Sequence, residues 1–251
     1  MKARADADHT SWSYQAAMHG THQRPLAQLW NGCKHYSWYF VAWHRMFVFC
    51  FEEIVRAAIV QAGGPADWAL PYWNYELGGE HASIPEAFRE PNANGAPNPL
   101  YVQQRAPGIN EGAQLQPAAT TSQFALARPN FVGTTEFGGG EAPPTPQFWR
   151  EPGELEETPH NAVHGQLGGR GGWMNDPDRA AQDPIFWLHH AQIDRLWARW
   201  NSQGRINPVD PAWSGQAFGF FDVDGQLSSK SCADVLDTVA DLGYEYDQLT
   251  P

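Results

Sequence analysis

Histidine is the residue type whose number and placement in this sequence point to chemistry. The 251-residue chain has ten histidines but only three cysteines. Neutral imidazole is a common ligand for copper, zinc and iron, and two histidines four residues apart on one helix face can share a metal. His160 and His164 have that spacing. The pair alone is weak evidence, because such spacing also arises by chance on solvated helices.

Three further histidines lie in apolar segments. His44 shares one face of a predicted helix with Phe40, Phe47 and Phe51, and an adjacent pair lies within the stretch 186–193. A single histidine of this kind is usually a hydrogen-bonded core residue. Several on separate helices each need a partner for their buried nitrogen atoms, and a shared metal centre would satisfy them together. Two metals with three histidines each would use six.

Other cofactors and partners fit the sequence less well. Three cysteines are too few for a zinc-cysteine cluster or an iron–sulfur site. We find no glycine-rich phosphate loop and no Gly-x-Ser-x-Gly motif. The net charge of −12 would repel nucleic acid and anionic lipid. We therefore expect an imidazole-rich metal site in a helical bundle, with neither a nucleic acid nor a membrane as partner.

Four helices are predicted to position the histidines. They cover about residues 11–18 and 37–61, a stretch that begins within 154–158 and ends at 168–169, and residues 185–200. The last has the clearest start, because Asp183 is a good N-cap and Pro184 suits the first helical position. The segment 68–75 is expected to be an extended connection, and a short helix is expected near 233–242.

Irregular chain should make up much of the remainder. Residues 78–150 are rich in Pro, Gly, Asn and Gln, and we interpret them as a long excursion over the bundle that helps to wall a pocket. No internal repeat or linker is apparent. The expected fold is mainly α, a four-helix bundle core with long irregular loops and little β structure, in a single domain spanning 1–251.

Two groups of motifs match a known family. The first is His19-Gly20, Cys33-Lys-His35 and Phe40-Val-Ala-Trp-His44-Arg45. The second is His160-Asn-Ala-Val-His164 followed by Asp183-Pro-Ile-Phe-Trp-Leu-His-His190. Leu70-Pro-Tyr-Trp-Asn74 and Tyr244-Glu-Tyr246 add to the match. With these motifs the chain resembles the tyrosinase and polyphenol oxidase family over about residues 11–246.

The resemblance implies a metal centre and its ligands. Members of the family hold a coupled binuclear (type 3) copper pair and use dioxygen as co-substrate. The ligands of the first copper would be His19, His35 and His44, and those of the second copper would be His160, His164 and His190. The family pattern favours His190 over its neighbour His189, with the reverse assignment as the alternative. The remaining three histidines lie in polar segments: His9, His22 and His81. We expect His9 and His81 to be solvated.

Three further residues take a role from the resemblance. Cys33 would form a thioether with the ring of His35, the alternative being a buried free thiol. Glu156, four residues before His160, would position a water that Asn161 activates to deprotonate a monophenol. The alternative is a solvated acidic run with a merely polar Asn161. The role of Asp194 stays open between a hydrogen-bond acceptor behind the metal site and an ion-pair partner of a nearby arginine.

The implied function is that of a copper oxidoreductase acting on small phenols. A tyrosinase would hydroxylate monophenols to o-diphenols and oxidise these to o-quinones. One alternative is a catechol oxidase or o-aminophenol oxidase without monophenolase activity, and another is a haemocyanin-like dioxygen carrier. We expect no C-terminal shielding domain, because nothing follows Pro251, and a cytoplasmic location, because no signal segment is apparent. The oligomeric state is not predicted.

Overall fold

A computed structural model describes residues 1–141 and 151–249 of the chain, and most of its regular structure is helical. The helices are α1 (Trp12–His19), α2 (Phe40–Gln61), α3 (Pro117–Thr120), α4 (Gln123–Ala127), α5 (Ala162–Gly168), α6 (Ile185–Ser202) and α7 (Pro211–Ser214). The strands are β1 (Asn92–Ala93), β2 (Ala96–Pro97), β3 (Ala217–Phe221) and β4 (Leu227–Ser231), which form two antiparallel hairpins.

Helix α1 is short, and its ends explain its length. The Ser11 hydroxyl accepts a hydrogen bond from the Tyr14 N–H at 3.1 Å, which satisfies one of the free donors of the first turn. Gly20 follows the last residue in an extended conformation. His19 is therefore the final residue of α1, close to the predicted end at residue 18.

Helix α2 packs against α6 through aromatic side chains. The Phe51 ring stacks on the Trp187 ring with a centroid separation of 3.4 Å, and Phe47 lies 4.7 Å from the same indole. The predicted apolar face, which carries His44, is the buried one. Helix α2 begins at residue 40, three residues later than predicted.

The start of α6 agrees with the prediction. Asp183 has extended backbone angles, and its carboxylate accepts a hydrogen bond from the Ile185 N–H at 3.1 Å. Pro184 follows with helical angles and needs no hydrogen-bond acceptor. Helix α6 continues to Ser202, two residues beyond the predicted end.

The predicted helix that begins within 154–158 and carries His160 and His164 is interrupted. An irregular helical segment, Glu156–Asn161, precedes α5, and Thr158 within it has the extended angles φ −145° and ψ 119°. The cause is Pro159, because a proline ring disfavours helical angles in the residue before it. His160 therefore lies just before α5 and His164 within it, and both are buried.

The long excursion is fastened to the core by a buried arginine. The Arg105 guanidinium donates to both carboxylate oxygens of Asp183, at 2.8 and 2.7 Å, and to the Phe88 carbonyl at 2.6 Å. Both side chains of the ion pair are fully buried. The described part of the excursion, 78–141, is thereby held at the start of α6. Residues 142–150 lie outside the described residues.

The C-terminal part differs from the prediction. Strands β3 and β4 pair in the register Ala217↔Ser231 to Phe221↔Leu227. The helix expected near 233–242 is limited to a 3-10 turn, Cys232–Val235. Beyond it the Asp237 carboxylate accepts from the N–H groups of Val239 and Ala240, at 2.8 and 3.0 Å. Such local bonds compete with helical ones, so the helix does not form.

The expectation of a mainly helical fold with little β structure is confirmed. The closer description of α1, α2, α5 and α6 as a four-helix bundle stays a prediction. In the described ranges, we find no helix whose length and apolar character would let it cross a bilayer.

We expect Asp183→Asn to lower the free energy of unfolding by about 3 kcal/mol, because it leaves the buried Arg105 charge without a counter-charge. An asparagine keeps the capping oxygen, so the loss reports the ion pair. Urea unfolding measures it. The control is Glu154→Gln, which removes the partly exposed pair with Arg128 and should cost less than about 1 kcal/mol. Equal losses in the two variants would contradict the prediction.

Candidate metal centre

The first group of histidines comes from three parts of the chain. His19 ends α1, His35 lies in the following loop, and His44 is one turn inside α2. One ring nitrogen of each lies within 4.8 Å of those of the other two. All three side chains are buried. The three predicted ligands of the first copper therefore converge on one point.

The second group forms where α5 meets α6. Ring nitrogens of His160, His164 and His189 lie within 4.8 Å of one another. The neighbouring His190 also reaches this group, because its Nε2 atom lies 3.3 Å from Nε2 of His164. The His190 ring stacks on the His44 ring with centroids 4.6 Å apart, so the two groups adjoin. Both members of the adjacent pair are thus near a common point.

Backbone carbonyl groups orient three of these rings. The Nδ1 atoms of His19, His44 and His164 lie 3.0, 2.8 and 2.6 Å from the carbonyl oxygens of Pro177, Phe40 and Met174. A carbonyl oxygen only accepts, so each Nδ1 carries the proton and each Nε2 presents a lone pair. Metal-bound histidines usually have this arrangement.

Three buried ring nitrogens at the site lack hydrogen-bond partners. Within the described residues, the buried Nε2 atoms of His19, His44 and His160 have no hydrogen-bond partner. An unsatisfied buried polar atom costs about 1–3 kcal/mol, which a bound metal ion would remove. Burial lowers the pKa of His19 to about 3 and that of His164 to about 4, so both are neutral, as ligands must be. The donor set therefore fits two metal ions with imidazole ligands.

The adjacent pair on α6 is held differently from the other rings. The His189 Nδ1 atom lies 3.3 Å from the buried Tyr75 hydroxyl, and its Nε2 has no partner in the described chain. The His190 ring packs on the Phe186 ring, one turn earlier, at 4.1 Å. These contacts leave the choice of third ligand for the second metal between the two residues.

A buried ion pair joins the two helices that carry His44 and His190. The Arg45 guanidinium donates to the carboxylate of Asp194, which lies one turn beyond His190. It also donates to the Val235 carbonyl at 3.0 Å and lies 3.7 Å above the Trp197 ring. Of the two roles left open for Asp194, the structure shows the ion pair.

The tyrosines of the Tyr-x-Tyr element complete this arrangement. The hydroxyl groups of Tyr244 and Tyr246 both donate to the second carboxylate oxygen of Asp194. Burial raises the pKa of both phenols well above 10, so they keep the protons that they donate. The C-terminal segment is therefore attached directly to the pair between α2 and α6.

Glu156 lies behind the histidines, in the irregular segment before His160. Its side chain is buried, and both carboxylate oxygens accept from the Tyr36 N–H, at 2.7 and 2.8 Å. Burial raises the pKa of Glu156 well above its ordinary value. Tyr36 adopts a φ of +56°, which turns its N–H toward this carboxylate. Tyr36 belongs to the site. Its role as a main-chain N–H donor to Glu156 could not be predicted from the sequence.

A cavity of about 300 Å³ opens onto both groups of histidines. It is lined by His19, His35, Tyr36, Glu157, His160, Asn161, His164, Met174, Asn175, Pro177 and Ala180. Asn161 is at the cavity as expected, but the acidic residue in its lining is Glu157 and not Glu156. No residue of the described excursion 78–141 is in this lining, so that excursion does not wall the cavity as expected.

The remaining predicted residues lie around the site. Cys33 is buried, and in the described chain no disulfide involves it. His81 is exposed, as expected. His9 is not simply solvated, because its ring stacks on Phe221 at 3.9 Å. His22 is exposed but lies between two carboxylates.

The fold and the histidines together define a helical protein with a centre for two metal ions. A family model described as the common central domain of tyrosinase matches residues 9–203. The curated protein "Tyrosinase HcTyr1" from Hahella sp. (strain CCB-MM4) is 41% identical over 286 aligned residues. The latent polyphenol oxidase of Prunus armeniaca is 26% identical over 244 residues. The chain belongs to the tyrosinase family, whose members are copper enzymes.

The extent of these matches differs between the two proteins. The alignment with the Hahella protein includes 100% of this chain and 59% of the relative. For the Prunus protein the shares are 86% and 38%. The chain thus spans about three fifths of the length of the first relative and well under half of the second.

Solved structures show the same fold. The polyphenol oxidase of Grenache grape (Vitis vinifera) superposes with a TM-score of 0.78 at 24% identity, covering 98% of this chain and 78% of that one. The tyrosinase of Burkholderia thailandensis has a TM-score of 0.67 at 18% identity, with coverages of 98% and 69%. At these identities the likeness concerns the fold alone.

We expect Tyr246→Phe to lower the free energy of unfolding by about 2 kcal/mol, because it removes a partly buried hydrogen bond to a charged acceptor. Tyr72→Phe is the matched control, since the Tyr72 hydroxyl donates to the exposed Asp247 carboxylate at 2.6 Å. It should change stability by less than about 0.5 kcal/mol. Urea unfolding of both variants checks this, and a control loss as large as that of Tyr246→Phe would refute it.

Proposed function

We propose that the protein is a copper-dependent oxidoreductase that hydroxylates monophenols to o-diphenols and oxidises o-diphenols to o-quinones. The observation that carries the proposal is the meeting of two groups of buried, neutral histidines at one cavity. The curated relative from Hahella, named a tyrosinase, supports it. Two copper ions bound there would supply the binding of dioxygen and the transfer of two electrons from the phenol.

The proposed ligands are His19, His35 and His44 for the first ion and His160, His164 and His190 for the second. Two facts favour His190 over His189. Its Nε2 lies 3.3 Å from the Nε2 of His164, the atom through which the His164 ring presents its lone pair. Its ring also stacks on His44, at the junction of the two groups. His189, with Nδ1 at the Tyr75 hydroxyl, would support the site from behind.

Copper counts test this assignment. We expect two copper ions per chain in the wild type and two in His189→Ala, but only one in His190→Ala, because a site with two imidazoles loses most of its affinity. Elemental analysis after desalting provides the counts, and His81→Ala is the matched control. A full count in His190→Ala together with a reduced count in His189→Ala would reverse the assignment.

Binding of a phenol would use the cavity lining. Tyr36 and Met174 offer apolar contact, and Asn161 and Asn175 offer hydrogen bonds, a mixture that suits a small aromatic ring with a hydroxyl group. A Cβ atom at Gly165 would meet no other atom within 4 Å, so the space beside His164 is open. This lining admits more than one phenol.

Hydroxylation of a monophenol also requires removal of a proton from a group whose ordinary pKa is about 10. We propose that Glu156 and Asn161 do this through a water molecule. Asn161 lies at the cavity, where its Oδ1 atom is 3.0 Å from Nδ1 of His160. The buried Glu156 carboxylate, whose pKa is raised, has the affinity for a proton that a base needs.

Monophenol hydroxylation should therefore fall about 100-fold in Glu156→Gln, and also fall in Asn161→Gly, while catechol oxidation stays within about threefold. Glu157→Gln is the matched control, because the neighbouring Glu157 carboxylate lines the cavity and undergoes the same chemical change. Oxygen uptake with tyramine and with a catechol measures both reactions. Loss of monophenol turnover in Glu157→Gln alone would assign the base to Glu157.

One observation favours a second candidate, a catechol oxidase without monophenolase activity. Both oxygens of Glu156 accept from the Tyr36 N–H, and Glu156 is not in the cavity lining. If no base served the monophenol, the wild type would oxidise catechol and leave tyramine unchanged.

The thioether between Cys33 and His35 and the single domain over 1–251 stay predictions.

A further inference from the structure

A charged cluster outside the histidine groups is built on His22. Its Nε2 atom lies 3.0 Å from a carboxylate oxygen of Asp176, and its Nδ1 atom lies 3.0 Å from one of Asp178. The imidazole thus lies between two carboxylates that are two residues apart in the chain. We call these three residues the His22 clamp.

The geometry determines which hydrogen bonds this imidazole can make. A neutral ring has only one N–H, so its other nitrogen would set a lone pair against a carboxylate oxygen at 3.0 Å. With protons on both nitrogens, the ring is attracted by both carboxylates. Only a ring with protons on both nitrogens can therefore donate to both carboxylates at once. Arg179, whose Nε lies 3.5 Å from Asp176, is a further charged group beside the clamp.

The clamp holds the residue that orients a predicted copper ligand. Pro177 lies between Asp176 and Asp178, and its carbonyl oxygen accepts from Nδ1 of His19 at 3.0 Å. That carbonyl fixes which nitrogen of His19 presents its lone pair to the cavity. His22 follows His19 by three residues. The short segment 19–22 therefore contacts the 176–178 loop through its first residue and through its last.

Close backbone packing supports this connection between the two segments. A Cβ atom on Gly20 would lie 2.4 Å from the Pro177 carbonyl oxygen and 2.9 Å from Cα of Asp178. Only a glycine allows this approach without a shift of the loop. Three features thus hold the loop. They are the close backbone approach that Gly20 permits, the hydrogen bond to His19 and the ion pairs with His22.

We propose that His22 is a positioning residue for the first metal ion: its charge holds the 176–178 loop so that Pro177 keeps the His19 ring in its metal-binding orientation. The inference rests on the proposed function, because it assigns His19 to copper. An isolated exposed ion pair stabilises a protein little, but here one cation holds two anions of a loop that touches a ligand. The effect is on the site and not on the fold.

The test is copper release from the holoprotein into EDTA, followed as copper per chain over time. In His22→Gln, one of the two coppers should leave about tenfold faster than in the wild type, while the other is unaffected. His22→Lys restores a positive charge and should bring the rate back to within about threefold of wild type. Added salt should speed release from the wild type but not from His22→Gln.

The matched control is His81→Gln, the same substitution at an exposed histidine away from the site, which should release copper at the wild-type rate. A wild-type rate of copper release from His22→Gln overturns the proposal. Equally fast release from His22→Lys and His22→Gln also overturns it, because the role of His22 would then be steric. Should His22→Gln not fold, Asp178→Asn removes one half of the clamp and has the same expected result. A wild type that binds no copper would instead overturn the proposed function.

Discussion

The ion pair between Arg45 and Asp194 is the contact on which the site depends most. Each charge is buried and lies close in the chain to a histidine, His44 on α2 and His190 on α6. A buried charge without its partner is costly, so the two helices can pack only in a register that brings these side chains together. Because the same register stacks His190 on His44, the contact that pairs the charges also brings the two histidine groups next to one another.

Within that frame, the backbone decides what each imidazole can do. Carbonyl oxygens of Phe40, Met174 and Pro177 accept from three of the rings, so the proton position is set before any metal arrives. A ring fixed in this way loses no further rotational freedom on binding an ion. The apolar side chains around the rings keep water away and hold them neutral. The site is thus organised by main-chain geometry as much as by the identity of its ligands.

The sharing of roles between ligand side chains and main-chain carbonyl groups explains how much of the site the sequence could predict. Metal ligands are side chains in a family-specific spacing, so the histidines could be identified, and the strong aromatic periodicity predicted α2. Carbonyl acceptors such as that of Met174 are invisible in a sequence, because every residue has one. Arg45 and Asp194 are 149 residues apart in the chain, and His22 and Asp176 are 154 apart, so only the fold brings each pair together. The interruption of the helix at Thr158 was not predicted. The four-residue spacing of His160 and His164 indicated a continuous helix, although Pro159 disfavours helical angles in the residue before it.

The attachment of the long excursion through Arg105 has a consequence for how this fold can vary. Residues 78–141 place several side chains in the core, among them Phe88 and Phe137, and are fixed to Asp183 through Arg105, yet none of them lines the cavity at the histidines. Because the entropy of closing a loop rises only slowly with its length, the exposed turns between these buried residues can gain or lose residues without disturbing the helices that carry the ligands. The alignment with the Hahella protein covers 286 residues against 251 in this chain, so it contains gaps. The exterior of the molecule is therefore free to diversify while the metal centre stays the same.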